Sequence, residues 1–370
     1  MDNYKSLEVF YNNTLVGTLA KTPNNCVAFE YSADWILNGF SISPFSLPLE
    51  KKVFIPDFFP FNGLFGVFND SLPDGWGRLL VDRILLKNKI NPAEIDNLNR
   101  LAVVQQSGMG ALTYKPEHKF IENFSDYDLD ILSQECSKIL NSEYSDKLDN
   151  LFEMGGSSGG ARPKILTKIN GEDWIIKFRS SQDSIDIGEQ EYLYSLCAKE
   201  CGIILPETKL FASKKCSGYF GVKRFDRENG KKIHMISASG ILETSHRLPN
   251  LDYNILMKLT LELTKNFDDI TQLFRLMCFN VFAHNRDDHA KNFSFVYDEQ
   301  NSRWKLSPAY DLTYSNSFNG EHATTVNGEG KNPSVNDILE VAKNIGMKSK
   351  VAKDIANEIK SKTKTMLSIN

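Results

Sequence analysis

The sequence is short of several things, and each shortage excludes a class of protein. Only six cysteines occur in 370 residues, at 26, 136, 197, 201, 216 and 278, with no C-x-x-C pair. That scatter supports neither a disulfide framework nor a four-cysteine zinc site. Cys197 and Cys201 share one helical face and read as small hydrophobes. Basic charge is not in excess, because 43 Lys and Arg stand against 47 Asp and Glu, for a net charge of -4. No overall positive field therefore points to nucleic acid. No apolar run approaches the roughly 18 residues of a membrane span. The N-terminus, "MDNYKSLEVFYNN", lacks a cationic start followed by an apolar stretch, so it does not read as a signal peptide. No G-x-S-x-G occurs, which leaves a serine hydrolase unsupported. No internal repeat is visible. The expectation is a soluble, reduced, cytoplasmic protein of roughly two domains, with 41% hydrophobic residues to fill their cores.

The N-terminal part reads as short strands. Leu7, Val9 and Tyr11 alternate, "YNNT" turns, Leu15, Gly17 and Leu19 return, and Val27, Phe29 and Tyr31 alternate again. A helix follows "SLPDG", with further helical patterns over 93–104 and 125–140. The polar "NSEYSDKLDN" at 141–150 reads as a linker. A second unit then starts at the glycine-rich "EMGGSSGGARPKIL". In it, "DWIIKF" is a buried strand, "GEQEYLYSLCAKECG" a helix ended by Gly202, and "GYFGVKRFDR" a strand with a polar exit. Ile270, Leu273, Phe274, Met277, Cys278, Val281 and Phe282 form one continuous apolar helical stripe. Asp268 and Asp269 suit the start of that helix, by capping and by its dipole. Helical patterns at 334–345 and 348–360 close the chain, and "NGEHATTVNGEGKNP" (319–333) reads as a mobile loop.

The stripe runs directly into "NRDDHAKNF", residues 285–293. Phosphoryl transfer needs a carboxylate to orient and deprotonate the acceptor hydroxyl. It also needs oxygen ligands for the magnesium on the triphosphate. Protein kinases place these groups in R-D-x-x-x-x-N, and Arg286, Asp287 and Asn292 fit that spacing. After Asn292, the alternating Phe293, Phe295 and Tyr297, the turn "DEQNS", and Trp304 and Leu306 predict a hairpin. A hairpin brings its open ends together, so Asp311 can share a cation with Asn292. A capped turn of solvated charges is the competing reading of Asp287, Asp288 and Lys291. Zinc is disfavoured, since His284 and His289 lack a cysteine or third histidine at ligand spacing.

"GGSSGGARPK" (155–164) could cradle phosphates through backbone N–H groups. It is not a P-loop, because Ala161-Arg162 stands where Lys-Ser/Thr is required. A flexible linker is the alternative. Lys164 ends the stretch, and Lys177 sits in an otherwise apolar strand. A buried lysine needs an anion, for which nucleotide phosphate and Glu191 are candidates, whereas a lysine on a polar strand face needs none. Lys223 and Phe225 would bracket an adenine-binding hinge, with Asp226 reaching the ribose; an ordinary edge strand is the alternative reading.

Together these pieces resemble the HipA family of bacterial serine/threonine protein kinases, the toxin half of HipA/HipB toxin–antitoxin modules. "GLFGVFNDSLPDGWGRLLVDRIL" and "RLAVVQQSGMGALTYKP" are similar to the family's N-terminal subdomain. "SSGGARPK", "WIIKF", "VKRFDR", "DDHAKNFS" and "SPAYDLTYS" follow in the family's order. The resemblance implies an α+β fold: a strand-rich N-terminal subdomain (1–120), a helix and linker (121–150), and a two-lobed protein-kinase-like catalytic domain (151–370). Its N-lobe would cover about 151–240 and its mostly helical C-lobe about 241–370.

The resemblance also implies ATP and Mg2+ as cofactors and assigns residues. Asp287 is the proton acceptor, and Asn292 and Asp311 are the metal ligands. Gly159, Gly160, Ala161, Arg162, Pro163 and Lys164 form the phosphate loop, Lys177 holds phosphate, and Lys223, Arg224 and Phe225 form the hinge. His289, Ala290, Lys291, Asn292, Tyr310 and Asp311 line the nucleotide. Ser157, or Ser158 beside it, takes the autophosphorylation that inactivates family members. The implied partners are a protein substrate, an aminoacyl-tRNA synthetase in the family's known example, and a HipB-like helix-turn-helix antitoxin. DNA would be reached only through that antitoxin, and growth arrest or persistence would follow. The part of the chain after Asp311 is short for the family, which bears on partner docking. The rival readings are a small-molecule phosphotransferase and a catalytically silent corepressor.

Overall fold

A computed structural model describes residues 4–104, 108–117, 128–316 and 318–368. The chain divides into two compact units. The first comprises Met1–Gly188, Leu210–Ile236 and Gly240–Glu243, and the second Glu189–Lys209, Ser237–Ser239 and Thr244–Asn370.

The first unit opens on β1 (Ser6–Tyr11), β2 (Thr14–Lys21) and β3 (Val27–Tyr31). With β4 (Val53–Phe54) and β5 (Leu112–Lys115) they form an antiparallel sheet of order β4-β3-β2-β1-β5. The expected alternation holds, since Leu7, Val9, Tyr11, Val27, Phe29 and Tyr31 are all buried. Asn12 and Asn13 both take positive φ, 43° and 73°, as a two-residue hairpin of primed type requires. The helix after "SLPDG" spans Gly75–Lys87. Its Trp76, Leu80, Ile84 and Leu85 share one core with Leu151, Phe152, Ile165 and Ile176.

Two expectations need correction here. The 141–150 linker is cut short by a helix over Leu148–Gly155, which also takes in the first residues of the glycine-rich stretch. Leu148, Leu151 and Phe152 at i, i+3 and i+4 give that segment a buried stripe that its polar composition hides. The 93–104 helix is only Asn97–Leu101, because Asp96 caps a fresh start through Asn99 N–H after a single turn at Pro92–Glu94. A helix does cover Leu129–Leu140, capped by Asp128. Residues 125–127 of that expectation lie outside the described residues.

A second sheet, of order β6-β7-β9-β8, follows. It contains β6 (Lys164–Ile169), β7 (Glu172–Lys177), β8 (Thr208–Phe211) and β9 (Tyr219–Lys223). The helix before β8 spans Ile187–Glu200, and Gly202 beyond it takes φ 71°.

The second unit is built around the striped helix, Phe267–Phe282. Asn266 caps it through Asp268 N–H, so Asp268 and Asp269 serve the dipole but not the cap. The predicted hairpin is present, with Ser294–Asp298 antiparallel to Arg303–Leu306. Helices Val335–Asn344 and Ser349–Met366 close the chain, the first with a Ser334/Asp337 capping box. The stretch 319–333 is not the loop its composition suggested. Thr324–Thr325 pairs in parallel with Leu251–Asp252, and His322, Thr324 and Val326 are buried.

Candidate active site

In the second unit the striped helix ends at Ala283. His284 then takes φ 52°, and Asn285 N–H returns to Asn280 O at 2.9 Å. That left-handed residue turns the chain out of the core. Asp287 follows with its side chain 63% exposed, and His289 Nε2 is 3.9 Å from Asp287 Oδ1. Its neighbour Asp288 is 1% exposed. Of the two adjacent acids, only Asp287 faces solvent where an acceptor hydroxyl could reach it.

Residues Ala290–Asn292 make a single tight turn. It directs Asn292 Nδ2 onto Asp287 O at 2.6 Å, so the amide oxygen of Asn292 points elsewhere. The hairpin brings its two open ends together. Ser307 N–H donates to Ser294 O at 2.9 Å, and the Tyr310 hydroxyl donates to Lys291 O at 2.6 Å and meets Ser294 Oγ at 2.5 Å. Tyr310 is thus pinned beside the turn that carries Asn292. Asp311 follows at φ 58°, half-buried. Ala290 is buried and Lys291 half-buried. Sequence reasoning missed His246, whose ring lies 5.3 Å from that of His289, tilted by 54°. Glu191, buried on the Ile187–Glu200 helix, also belongs to this unit.

The first unit carries the glycine-rich stretch. Ser157 and Ser158 are both buried, and Ser158 Oγ donates to Gly155 O at 2.5 Å. The loop rests on the start of the Gly75–Lys87 helix. Trp76 N–H donates to Gly160 O at 2.9 Å, and Asp74 accepts from Gly160 N–H. A β-carbon at Gly75 would sit 2.3 Å from Gly160 O, and one at Gly77 2.1 Å from Ser158 O. Gly160 itself takes φ 84°. After Gly159 and Ala161, Arg162 pairs with Asp183 at 3.1 Å. Burial would raise the Asp183 carboxyl, but the Ser180 N–H and the Arg162 guanidinium hold it below its usual value. Pro163 O accepts Phe178 N–H at 2.8 Å.

Lys164 and Lys177 stand directly opposite each other on β6 and β7. Lys164 is buried, its Nζ donating to Gly159 O, while Lys177 Nζ lies 5.6 Å from the Phe220 ring centre. Like charges at opposed positions repel unless an anion lies between them. Lys223 pairs with Glu172, and Phe225 is half-buried. Asp226 does not face a ribose. It is 1% exposed, and its carboxylate accepts from Arg224, Arg227 and Gly110 N–H. The Arg224 guanidinium bonds to Asp226 and Gly108 O, and the Arg224 backbone N–H donates to Asp173 O.

Fold and site together define an α+β protein with a strand-rich N-terminal part and a largely helical C-terminal one. Two family models match it: the HipA N-terminal domain over residues 7–115 and the HipA-like C-terminal domain over 156–367. The chain belongs to the HipA family. Its fold is similar to that of a chain from the Shewanella oneidensis MR-1 toxin–antitoxin complex of HipA, HipB and operator DNA. That match has a TM-score of 0.72 and 16% identity, over 98% of this chain and 90% of that one. In sequence it is similar to "Putative kinase Y4dM" of Sinorhizobium fredii, 27% identical over 161 residues, which are 40% of this chain and 39% of that protein. It is also similar to a "Putative kinase" of Haemophilus influenzae, 26% identical over 241 residues, 54% of this chain and 70% of that protein.

Proposed function

We propose that the chain is an ATP- and magnesium-dependent serine/threonine protein kinase of toxin type, held in check by a HipB-like antitoxin. The observation that carries this reading is the arrangement around Asn292. One exposed carboxylate, Asp287, has its carbonyl tied to the Asn292 amide, and Asp311 follows a tyrosine bonded beside the same turn. Asp287 would accept the proton of the acceptor hydroxyl. The names of both relatives and the family of the matched complex support the kinase and antitoxin parts.

Among the described residues, no group of three or more His, Cys, Asp or Glu could hold a metal ion. Magnesium takes one or two protein ligands and completes its shell with phosphates and water. Asn292 and Asp311 would hold it, and when bound it neutralises phosphate charge. Lys164 and Lys177, facing each other on β6 and β7, would take the phosphates. The backbone of Lys223–Phe225 would meet the adenine. His289, whose Nδ1 is buried with no hydrogen-bond partner among the described residues, would also meet the nucleotide.

Incubation with MgATP should release ADP and leave phosphate on Ser157 or Ser158, read by mass spectrometry. Transfer to an aminoglycoside-type small molecule with no phosphate on the chain would favour a small-molecule phosphotransferase. Neither product would favour a silent corepressor. Both serines are buried, so phosphate on either must displace the loop from Gly75–Gly77. The added negative charge would also oppose ATP phosphates. Ser157→Asp is therefore expected to weaken MgATP binding by about tenfold or more in calorimetry, and an unchanged affinity would remove the serine's regulatory role.

A further inference from the structure

The acid next to the proposed base has a different occupation. Asp288 is 1% exposed, yet three residues send donors to it. The Tyr253 hydroxyl, at the start of the Tyr253–Thr264 helix, donates to Oδ2 at 2.9 Å. His322 Nδ1 lies 3.0 Å from the same oxygen, and Thr324 N–H is 3.2 Å from Oδ1. A carboxylate can only accept, so His322 carries its proton on Nδ1. The contacts continue inward. Asn280 Nδ2 donates to Tyr253 Oη at 2.9 Å, and Asn285 Nδ2 donates to Asn280 Oδ1 at 3.0 Å.

The main chain repeats the pattern on both sides of Asp287. Ala323 N–H donates to Arg286 O at 3.1 Å, and Thr324 Oγ1 donates to Asp288 O at 2.5 Å. With Asn292 on the carbonyl of Asp287 itself, three consecutive carbonyls, 286 to 288, are each held by a different residue. The segment that holds two of them is fixed in turn. Thr325 Oγ1 donates to Asp252 Oδ2 at 2.6 Å, and Gly328 N–H reaches the same oxygen at 2.8 Å.

We propose that Asp288 is a positioning residue: with Tyr253, His322 and Thr324 it clamps residues 286–288 so that the Asp287 carboxylate is held where the acceptor hydroxyl arrives. This rests on the kinase reading and deepens it, making the 322–325 segment a working part of the site. A polar group that merely satisfied the core would not need matching bonds to the backbone on either side of Asp287. A misplacement of about 1 Å in a reacting group costs on the order of a hundredfold in rate.

The test uses the full chain, MgATP as probe, ADP release for turnover, and calorimetry for binding. Tyr253→Phe, Thr324→Val and His322→Leu each delete one bond of the clamp at modest change in volume. Each is expected to lower kcat by about tenfold to a hundredfold, while MgATP affinity and the number of binding sites stay near those of the natural chain. His322→Asn should recover most of the lost rate, because its amide nitrogen can stand where Nδ1 stood. Asp288→Asn, which sets an N–H against donors, should be the slowest. Unchanged kcat in the three single-bond variants would overturn the proposal. So would a loss of rate that only follows a loss of MgATP-binding sites, or His322→Asn no better than His322→Leu. An unaltered chain that neither binds MgATP nor releases ADP would instead overturn the kinase reading beneath it.

Discussion

Asp287→Asn is expected to lower phosphoryl transfer by about 10²–10⁴-fold, the usual worth of a positioned general base, while MgATP binding persists. The substitution keeps the shape of the side chain and removes its ability to take a proton. The carbonyl that Asn292 holds belongs to the main chain and is untouched. At 63% exposure the side chain carries no packing that its loss would disturb. ADP release paired with calorimetry separates the two effects. Wild-type turnover in Asp287→Asn would sink the assignment of the base. The same change one residue later also threatens the clamp, so comparing Asp287→Asn with Asp288→Asn separates the proton's destination from its alignment.

Asp226→Ala should be the most destabilising single change in the first unit. Two guanidiniums, those of Arg224 and Arg227, close on one buried carboxylate at 2.6 and 2.9 Å, and Gly108 and Gly110 are bonded into the same cluster. Removing one partner of a buried ion pair costs about 3–5 kcal/mol, because the other charge is left buried and uncompensated. Denaturant midpoints at neutral pH would measure this, and a shift under about 1 kcal/mol would show that the arginines relax into solvent.

The cluster also sets an acid limit. Burial alone would raise the Asp226 carboxyl, but Arg224 and Arg227 outweigh it and hold the group below its ordinary value. Burial likewise lowers Arg227, to about 10, so it stays charged at neutral pH. A depressed carboxylate binds its proton more readily in the unfolded chain. Its stabilisation is therefore complete above the unfolded value of about 4 and disappears as pH falls through the lower folded value. Asp226→Asn should flatten that acid slope.

Much of the fold was legible in the residues because its main signals are periodic. Alternation marked β1, β2 and β3, the stripe from Ile270 to Phe282 marked the central helix, and paired alternations about "DEQNS" marked the hairpin. The features that escaped are held by contacts with no period. The Leu148–Gly155 helix is too short for its stripe to stand out among polar neighbours. The 319–333 stretch looked like a loop because its burial comes from single hydrogen bonds to Asp288 and Asp252.

The candidate site divides in the same way. Spacing singled out Asp287, Asn292 and Asp311, but could not say that Asp288 lies inside. Asp226 was misread as a ribose ligand because its arginines, two residues before and one after, look in sequence like a solvated run. His246 has no motif around it, and only the folded chain brings it to His289.

The glycine-rich stretch lies against the Gly75–Lys87 helix through main chain on both sides, at Gly75 against Gly160 and at Gly77 against Ser158. Where two backbones meet without side chains, substitution has almost no graded options, since even one methyl group collides. In the kinase reading proposed above, tuning of nucleotide affinity would then fall to the lysines or the hinge. An engineered alanine at position 77 would act less as a modulator than as a wedge.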